Sequence, residues 1–128
     1  MSVCVEISYG ELIDKITILE IKERHVVDPA RRGNVVRELT LLKERRRASL
    51  PQDPRLDDLH AQLRDVNGRL WDIEDCLREK EREEAFDPEF IDLARSVYRT
   101  NDLRARIKRE INELFASGLV EEKLYKEY

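Results

Sequence analysis

The longest regular pattern in the chain lies between Asp53 and Glu84, where apolar residues recur at alternating steps of three and four. Asp53-Pro54 opens this stretch with a side-chain acceptor and a residue that fits the first helical position. Seven successive apolar residues then follow the a and d positions of three heptads, which predicts one long helix that needs partner helices, from this chain or from a second copy. These residues are named the heptad seam: Leu56, Leu59, Leu63, Val66, Leu70, Ile73 and Leu77.

A first helix is predicted from Tyr9 to His25, after a short N-terminal arm at Val3–Ile7. Ser8 precedes Glu11 by three residues, which is the spacing of a capping box. The apolar residues of this helix fall on two opposite sides at 100° per residue, and a helix that is apolar on two sides is usually buried on both. We therefore expect this helix to be the central one.

A second helix is predicted to begin at Asp28-Pro29 and to end in the charged run Lys43–Arg47, with Gly33-Asn34 either delaying its start or loosening its first turn. The turn at Leu50–Pro54 is short enough to fold the next helix back against its predecessor.

A fourth helix is predicted from Glu89 to Ala116, with Ser117-Gly118 as its C-cap. The segment Leu119–Tyr128 is expected to form a short C-terminal helix that docks on a neighbour through Leu119, Val120, Leu124 and Tyr125. The predicted fold is thus all-α: one domain over residues 1–128, an antiparallel four-helix bundle with long third and fourth helices. The two-sided first helix and the length of the last two predict a homodimer.

Composition narrows the possible partners and the compartment. Hydrophobic and charged residues each make up 41% of the chain, which is typical of long helices with solvated faces. A net charge of −4 argues against general nucleic-acid binding, which normally needs a basic field. The sequence predicts no signal peptide and no membrane span. Cys4 and Cys76 show neither metal spacing nor a disulfide framework, so we expect a cytoplasmic protein.

A polar stripe runs beside the heptad seam, and its members are spaced to share one helix face: Asn67, Trp71, Glu74 and Arg78. The fourth helix offers a matching polar set: Arg95, Tyr98, Asn101, Asp102, Arg104, Lys108, Arg109 and Asn112. Buried charges are costly unless they are paired, so such a cluster could hold an anionic, phosphorylated or nucleotide-like molecule, with an indole as stacking surface. The candidate ligand-binding residues are Asp14, Lys15, Asn67, Trp71, Asp72, Arg95, Tyr98, Asn101 and Asp102.

The alternative interpretation is that these side chains form interhelical ion pairs that fix register and partner choice. No catalytic signature or cofactor motif is recognisable in the sequence. The ligand pattern of di-metal helical bundles is also missing, because neither His25 nor His60 follows a Glu by three residues. The sequence therefore predicts no cofactor and no metal site. It favours a helical, self-associating interaction or scaffold protein, with binding or turnover of an anionic small molecule as the alternative. Nucleic-acid binding through the basic second helix is the third and least favoured hypothesis.

Several stretches also resemble a small bacterial family of uncharacterised all-helical proteins, known only as a domain of unknown function. They are ISYGELIDKITILEIK (Ile7–Lys22), LWDIED (Leu70–Asp75), FIDLARSVYRTNDLRARIKREIN (Phe90–Asn112) and LVEEKLYKEY (Leu119–Tyr128). The resemblance covers nearly the whole chain and implies a cytoplasmic, all-helical protein. It implies no activity, substrate or catalytic residue.

Overall fold

The computed structural model describes residues 1–116 and 122–128. Within those residues lie four α-helices and no strand: α1 (Tyr9–His25), α2 (Pro29–Ser49), α3 (Pro54–Arg82) and α4 (Pro88–Leu114). The all-α prediction is confirmed, and α1 has the predicted bounds. The antiparallel arrangement and the dimer stay predictions.

Side-chain caps set the start of every helix. Asp28, Asp53 and Asp87 each accept a hydrogen bond from a backbone N–H of the first turn, and a proline follows each of them. Ser8 caps α1 by accepting from the N–H of Glu11 at 3.1 Å. The second helix begins at the proline after Asp28 and not later, because that cap and proline outweigh the unfavourable helix propensity of Gly33.

The C-terminal predictions were less accurate. The fourth helix ends at Leu114, two residues before the predicted end, and Ala116 has a left-handed backbone with φ 50°. Ser117-Gly118, Leu119 and Val120 lie outside the described residues. The prediction of a short C-terminal helix is wrong for residues 122–128, which are not helical. A segment this short gains too few backbone hydrogen bonds to offset helix nucleation, so its side chains hold it instead.

The first helix is the central element, as predicted, because α1 packs against each of α2, α3 and α4. Leu12, Ile16 and Leu19 are buried on one side and Ile21 on the other. By contrast, α1 is the one helix among the described residues whose backbone packs on α2, and Leu39 is the one buried residue of α2. The most extensive packing is between α3 and α4, the two longest helices.

The heptad seam is buried over only part of its length. Its first five members, from Leu56 to Leu70, belong to the hydrophobic core. Ile73 and Leu77 are half-buried and lie outside that core. The pattern predicted a continuous seam, whereas only its first five members join the core that the apolar residues of α1 help to form.

One glycine allows the close approach of α1 to α4. A Cβ on Gly10 would lie 2.3 Å from the backbone oxygen of Lys108, far inside contact distance. The N–H of Gly10 is one of the donors that a helix start leaves without an intrahelical partner, and it donates to Oδ1 of Asn112 at 2.7 Å. The position therefore requires glycine for space, and this contact fixes the N-terminus of α1 on α4.

Candidate functional site

A fully buried carboxylate lies at the junction of α1, α3 and α4. The side chain of Asp14 is 1% exposed and accepts from Nδ2 of Asn67 and from Nε of Arg104, both at 2.9 Å. A second guanidinium nitrogen of Arg104 completes a bidentate pair. Thr17 extends the network: its Oγ1 donates to the backbone oxygen of residue 14 and accepts from Nδ2 of Asn67, each at 2.8 Å. The polar side chains of Asp14, Asn67 and Thr17 are therefore hydrogen-bonded to protein groups.

A second ion pair lies one turn closer to the N-terminus of α1. Nζ of Lys108, whose side chain is 9% exposed, donates to Glu11 at 2.6 Å and lies 4.0 Å from Asp14. Lys15 is half-exposed and reaches Glu11 at 3.6 Å. Two of the three carboxylate–cation contacts thus cross from α1 to α4.

A third polar cluster joins α1, α2 and α3. Arg46 donates to Nδ1 of His60 at 3.0 Å, and an arginine has only donors, so Nδ1 must be the acceptor. Nε2 therefore carries the hydrogen that His60 donates to Glu20 at 3.0 Å. Nε of Arg64 donates to the same carboxylate at 2.8 Å. Burial alone would raise the pKa of Glu20, but the hydrogen bonds from His60 and Arg64, together with the positive charge of Arg64, outweigh it and lower the pKa to about 2.

Trp71 lies apart from the Asp14 network. Its ring stacks on His25, the last residue of α1, with centroids 4.8 Å apart and planes 22° apart. Its Nε1 is buried and has no hydrogen-bond partner among the described residues. Asp72 and Arg95 are exposed, and neither forms an ion pair with another described residue. The indole therefore does not stack against a cavity lined by the other candidate residues.

A groove of about 1010 Å³ separates α4 from the C-terminal tail. The tail is held there by Tyr128, whose hydroxyl donates to Asp102 at 2.7 Å and whose ring lies 5.0 Å from that of Tyr98. The hydrogen bond to Asp102 raises the pKa of Tyr128. The groove is lined by Glu11, Tyr98, Asn101, Asp102, Arg104, Ala105, Lys108, Lys123, Tyr125, Lys126, Glu127 and Tyr128. Cations and carboxylates both line it, so its charge is mixed.

The nine residues predicted to converge are distributed over several places. Asp14 and Asn67 meet in the buried network, and Tyr98, Asn101 and Asp102 share the groove. The remaining four, Lys15, Trp71, Asp72 and Arg95, lie outside both. The structure thus places these residues in separate groups, and their role in ligand binding stays a prediction.

The sequence identified the carboxylate of Asp14 as a candidate, but it did not identify Arg104 and Lys108 as the cations that contact it. Arg104 and Lys108 belonged to the polar set of the fourth helix, yet only their pairing with α1 distinguishes them from its other charges. Their spacing of four, continued by Asn112, was the available signal, since all three then fall on one face. Gly10 offered no signal of this kind.

Two further properties concern metals and membranes. Over residues 1–116 and 122–128, no group of three or more His, Cys, Asp or Glu side chains is arranged to hold a metal ion. Among the same residues, no helix has both the length and the apolar character that a bilayer span requires.

Comparison with known families now places the chain. Residues 3–127 match the model of a family described as "Family of unknown function (DUF6165)". The chain belongs to this family. No curated protein and no solved structure matches it.

The matched range, residues 3–127, includes all three polar clusters and every residue that lines the groove except Tyr128. The family description carries no activity, so it assigns no role to any of these residues. A function for the chain has to be argued from its own surfaces and contacts.

Proposed function

We propose that this protein is a self-associating helical interaction protein that forms a homodimer through the outer part of α3 and α4. This region is named the distal hairpin and comprises residues 72–103. The observation that carries the proposal is the break in burial along the heptad seam: Leu70 is 7% exposed and in the core, whereas Ile73 and Leu77 are half-buried outside it. A heptad pattern that continues beyond the hydrophobic core of its own chain is typical of a helix that packs on another chain.

The facing helix has the same property. Phe90, Leu93 and Val97 of α4 are half-buried and lie outside the hydrophobic core. Ile91 is 55% exposed, and so is Phe86 in the loop between the helices, at 57%. A third helix would normally cover such a pair, but α1 ends at His25, level with Trp71. Exposed apolar residues gathered at one end of a molecule mark an interaction surface.

The total surface of the chain supports this proposal. A compact monomer of 15.2 kDa exposes about 7,100 Å². This chain exposes 9299 Å². The excess of about 2,000 Å² is larger than the roughly 800 Å² that each partner buries in a standard interface. An open surface of this size is compatible with a dimer.

We place the protein in the cytoplasm and assign it no nucleic-acid partner. Cys4 and Cys76 are both exposed and free, which suits a reducing compartment. The basic side chains of α2 are balanced by a net charge of −4 for the whole chain.

The test is the mass of the protein in solution, measured by sedimentation equilibrium over a wide concentration range. We expect the wild type to approach twice 15.2 kDa. Ile91→Asp should shift it towards monomer, because it introduces a charge into the apolar surface of the distal hairpin. Leu41→Asp is the matched control: Leu41 is 51% exposed, but it lies on α2, away from the hairpin. Equal dissociation constants for the two variants, or a wild type that stays monomeric throughout, would refute the proposal.

A second candidate function is binding of an anionic small molecule in the groove beside α4. Its support is that Tyr98, Asn101 and Asp102 line one cavity of about 1010 Å³. We rank it second because Arg104 and Lys108 are already engaged by Asp14 and Glu11.

The groove can be tested by thermal shift with nucleotides, sugar nucleotides and phosphorylated metabolites. A ligand at 100 times its dissociation constant adds about 2.7 kcal/mol to the free energy of unfolding. Asn101→Ala should remove any such shift, whereas Asp72→Ala, outside the groove, should keep it. A flat screen, or a shift that both variants keep, would remove this candidate.

A further inference from the structure

One face of α3 carries an unbroken series of polar and aromatic residues at steps of four, three, four, three and four: His60, Arg64, Asn67, Trp71, Glu74 and Arg78. The first four of these contact α1. His60 and Arg64 reach Glu20, Asn67 reaches Asp14 and Thr17, and Trp71 stacks on His25. Since α1 ends at His25, the last two residues continue the same face beyond it.

Those last two residues, Glu74 and Arg78, are exposed and form no ion pair within the described part of the chain. Their spacing of four would allow an intrahelical pair. Other residues at this spacing do pair, for example Arg69 with Asp65 at 3.0 Å. The polar stripe therefore ends in one negative and one positive side chain, four residues apart. They lie on the same face of α3 that α1 covers nearer the N-terminus of that helix.

We infer that this pair sets the orientation of the homodimer: Glu74 of one copy pairs with Arg78 of a second copy, and Arg78 pairs with Glu74 of that copy. The inference rests on the proposed self-association through the distal hairpin and specifies its geometry. A two-fold axis near residue 76, perpendicular to two α3 helices that run in opposite directions, brings each residue opposite the unlike one. A parallel arrangement in register would place like charges together, which is unfavourable.

The surroundings of the pair fit a second copy of this chain. Half-buried Leu77 lies next to Arg78 on α3, and exposed Ile91 on α4 belongs to the same distal hairpin. Asp72 and Arg95 add exposed charges of opposite sign, which suit the polar rim of an interface. A surface that carries both halves of an ion pair complements itself, and this favours a second copy over an unrelated partner.

The test uses charge reversal, with the dimer dissociation constant measured by sedimentation equilibrium at fixed salt. Glu74→Arg and Arg78→Glu should each weaken self-association at least about tenfold, since each variant alone faces like charges across the axis. An equimolar mixture of the two variants should associate nearly as tightly as the wild type, because each contact in the mixed dimer then joins opposite charges. The double variant, Glu74→Arg with Arg78→Glu, should also regain the wild-type dissociation constant.

Glu44→Arg is the matched control, because Glu44 is exposed on α2 and forms no ion pair among the described residues. Each possible outcome separates the two proposals. A monomeric wild type overturns both. A dimeric wild type that responds to Ile91→Asp, but whose charge-reversed variants match the Glu44→Arg control, leaves the hairpin interface standing and overturns the ion pairs. Weakened single variants that neither the mixture nor the double variant restores overturn the reciprocal pairing.

Discussion

Two glycines of this chain provide a matched test of how tightly α1 packs on α4. Gly10 has no space for a Cβ, which would meet the backbone oxygen of Lys108 at 2.3 Å. Gly68 lies inside α3, and a Cβ there would meet nothing within 4 Å. The same substitution, glycine to alanine, should therefore have opposite effects at the two positions.

For Gly10→Ala, the nearest atoms belong to the backbone of another helix and cannot move aside as a side chain would. The start of α1 must shift by about 1 Å to reach ordinary contact distance. That shift lengthens the hydrogen bond from the N–H of residue 10 to Asn112, which is 2.7 Å, and loosens the pair between Lys108 and Glu11, which is 2.6 Å. Overpacking of this kind costs roughly 1–3 kcal/mol.

For Gly68→Ala, the new methyl group restricts the unfolded chain and clashes with nothing. Alanine in a helix interior is more stable than glycine by roughly 0.5–1 kcal/mol. The assay is urea unfolding of both variants and the wild type at one protein concentration, because a dimer makes the apparent stability concentration-dependent. If Gly10→Ala were as stable as Gly68→Ala, the close approach of Gly10 to the backbone of Lys108 would be refuted.

Two further predictions concern buried charge. Asp14→Asn keeps the size of the side chain but removes the negative charge that pairs with Arg104, so we expect the free energy of unfolding in urea to fall by about 3–5 kcal/mol. The control Asp72→Asn, at an exposed position, should change it by less than about 0.5 kcal/mol. Equal losses for the two variants would contradict the network around Asp14. The pKa of Glu20 is lowered from 4.5 to about 2, so its stabilisation is complete above pH 4.5 and is lost as the pH falls from 4.5 towards 2. Over that range the wild type should lose roughly 3 kcal/mol more than Glu20→Gln, and parallel pH profiles for the two proteins would show that the carboxylate is not held in its charged form.

Local rules predicted the helices well because the signals for helix starts are strong in this sequence. The Asp-Pro pairs that begin α2, α3 and α4 combine a side-chain acceptor with a proline, and each pair marks the observed start. The two-sided apolar pattern of α1 correctly predicted its central position. Helix ends were less predictable, because α3 and α4 are followed by the left-handed residues Glu84 and Ala116, neither of which is a glycine.

The candidate site could be predicted only in part, because pairing between helices depends on tertiary distance. Spacing within α3 correctly placed Asn67 and Trp71 on one face, but not where on that face α1 would end. It also gave no indication that Arg104 reaches Asp14 across ninety positions in the sequence. The close contact at Gly10 was not predictable for the same reason, since a glycine at a helix start is equally compatible with open space.

The division of the polar face of α3 gives a physical reason for keeping charges in the core. A buried ion pair is seldom the most stable solution, but it penalises every misaligned arrangement, because a shifted helix would leave Asp14 buried without Arg104 or Asn67. The network therefore fixes where α1 lies along α3, and so determines that α1 stops at Trp71. That stopping point leaves Glu74 and Arg78 uncovered. A sequence with an apolar junction could let α1 slide and cover them, so the buried half of this face determines which part of it remains for a second copy.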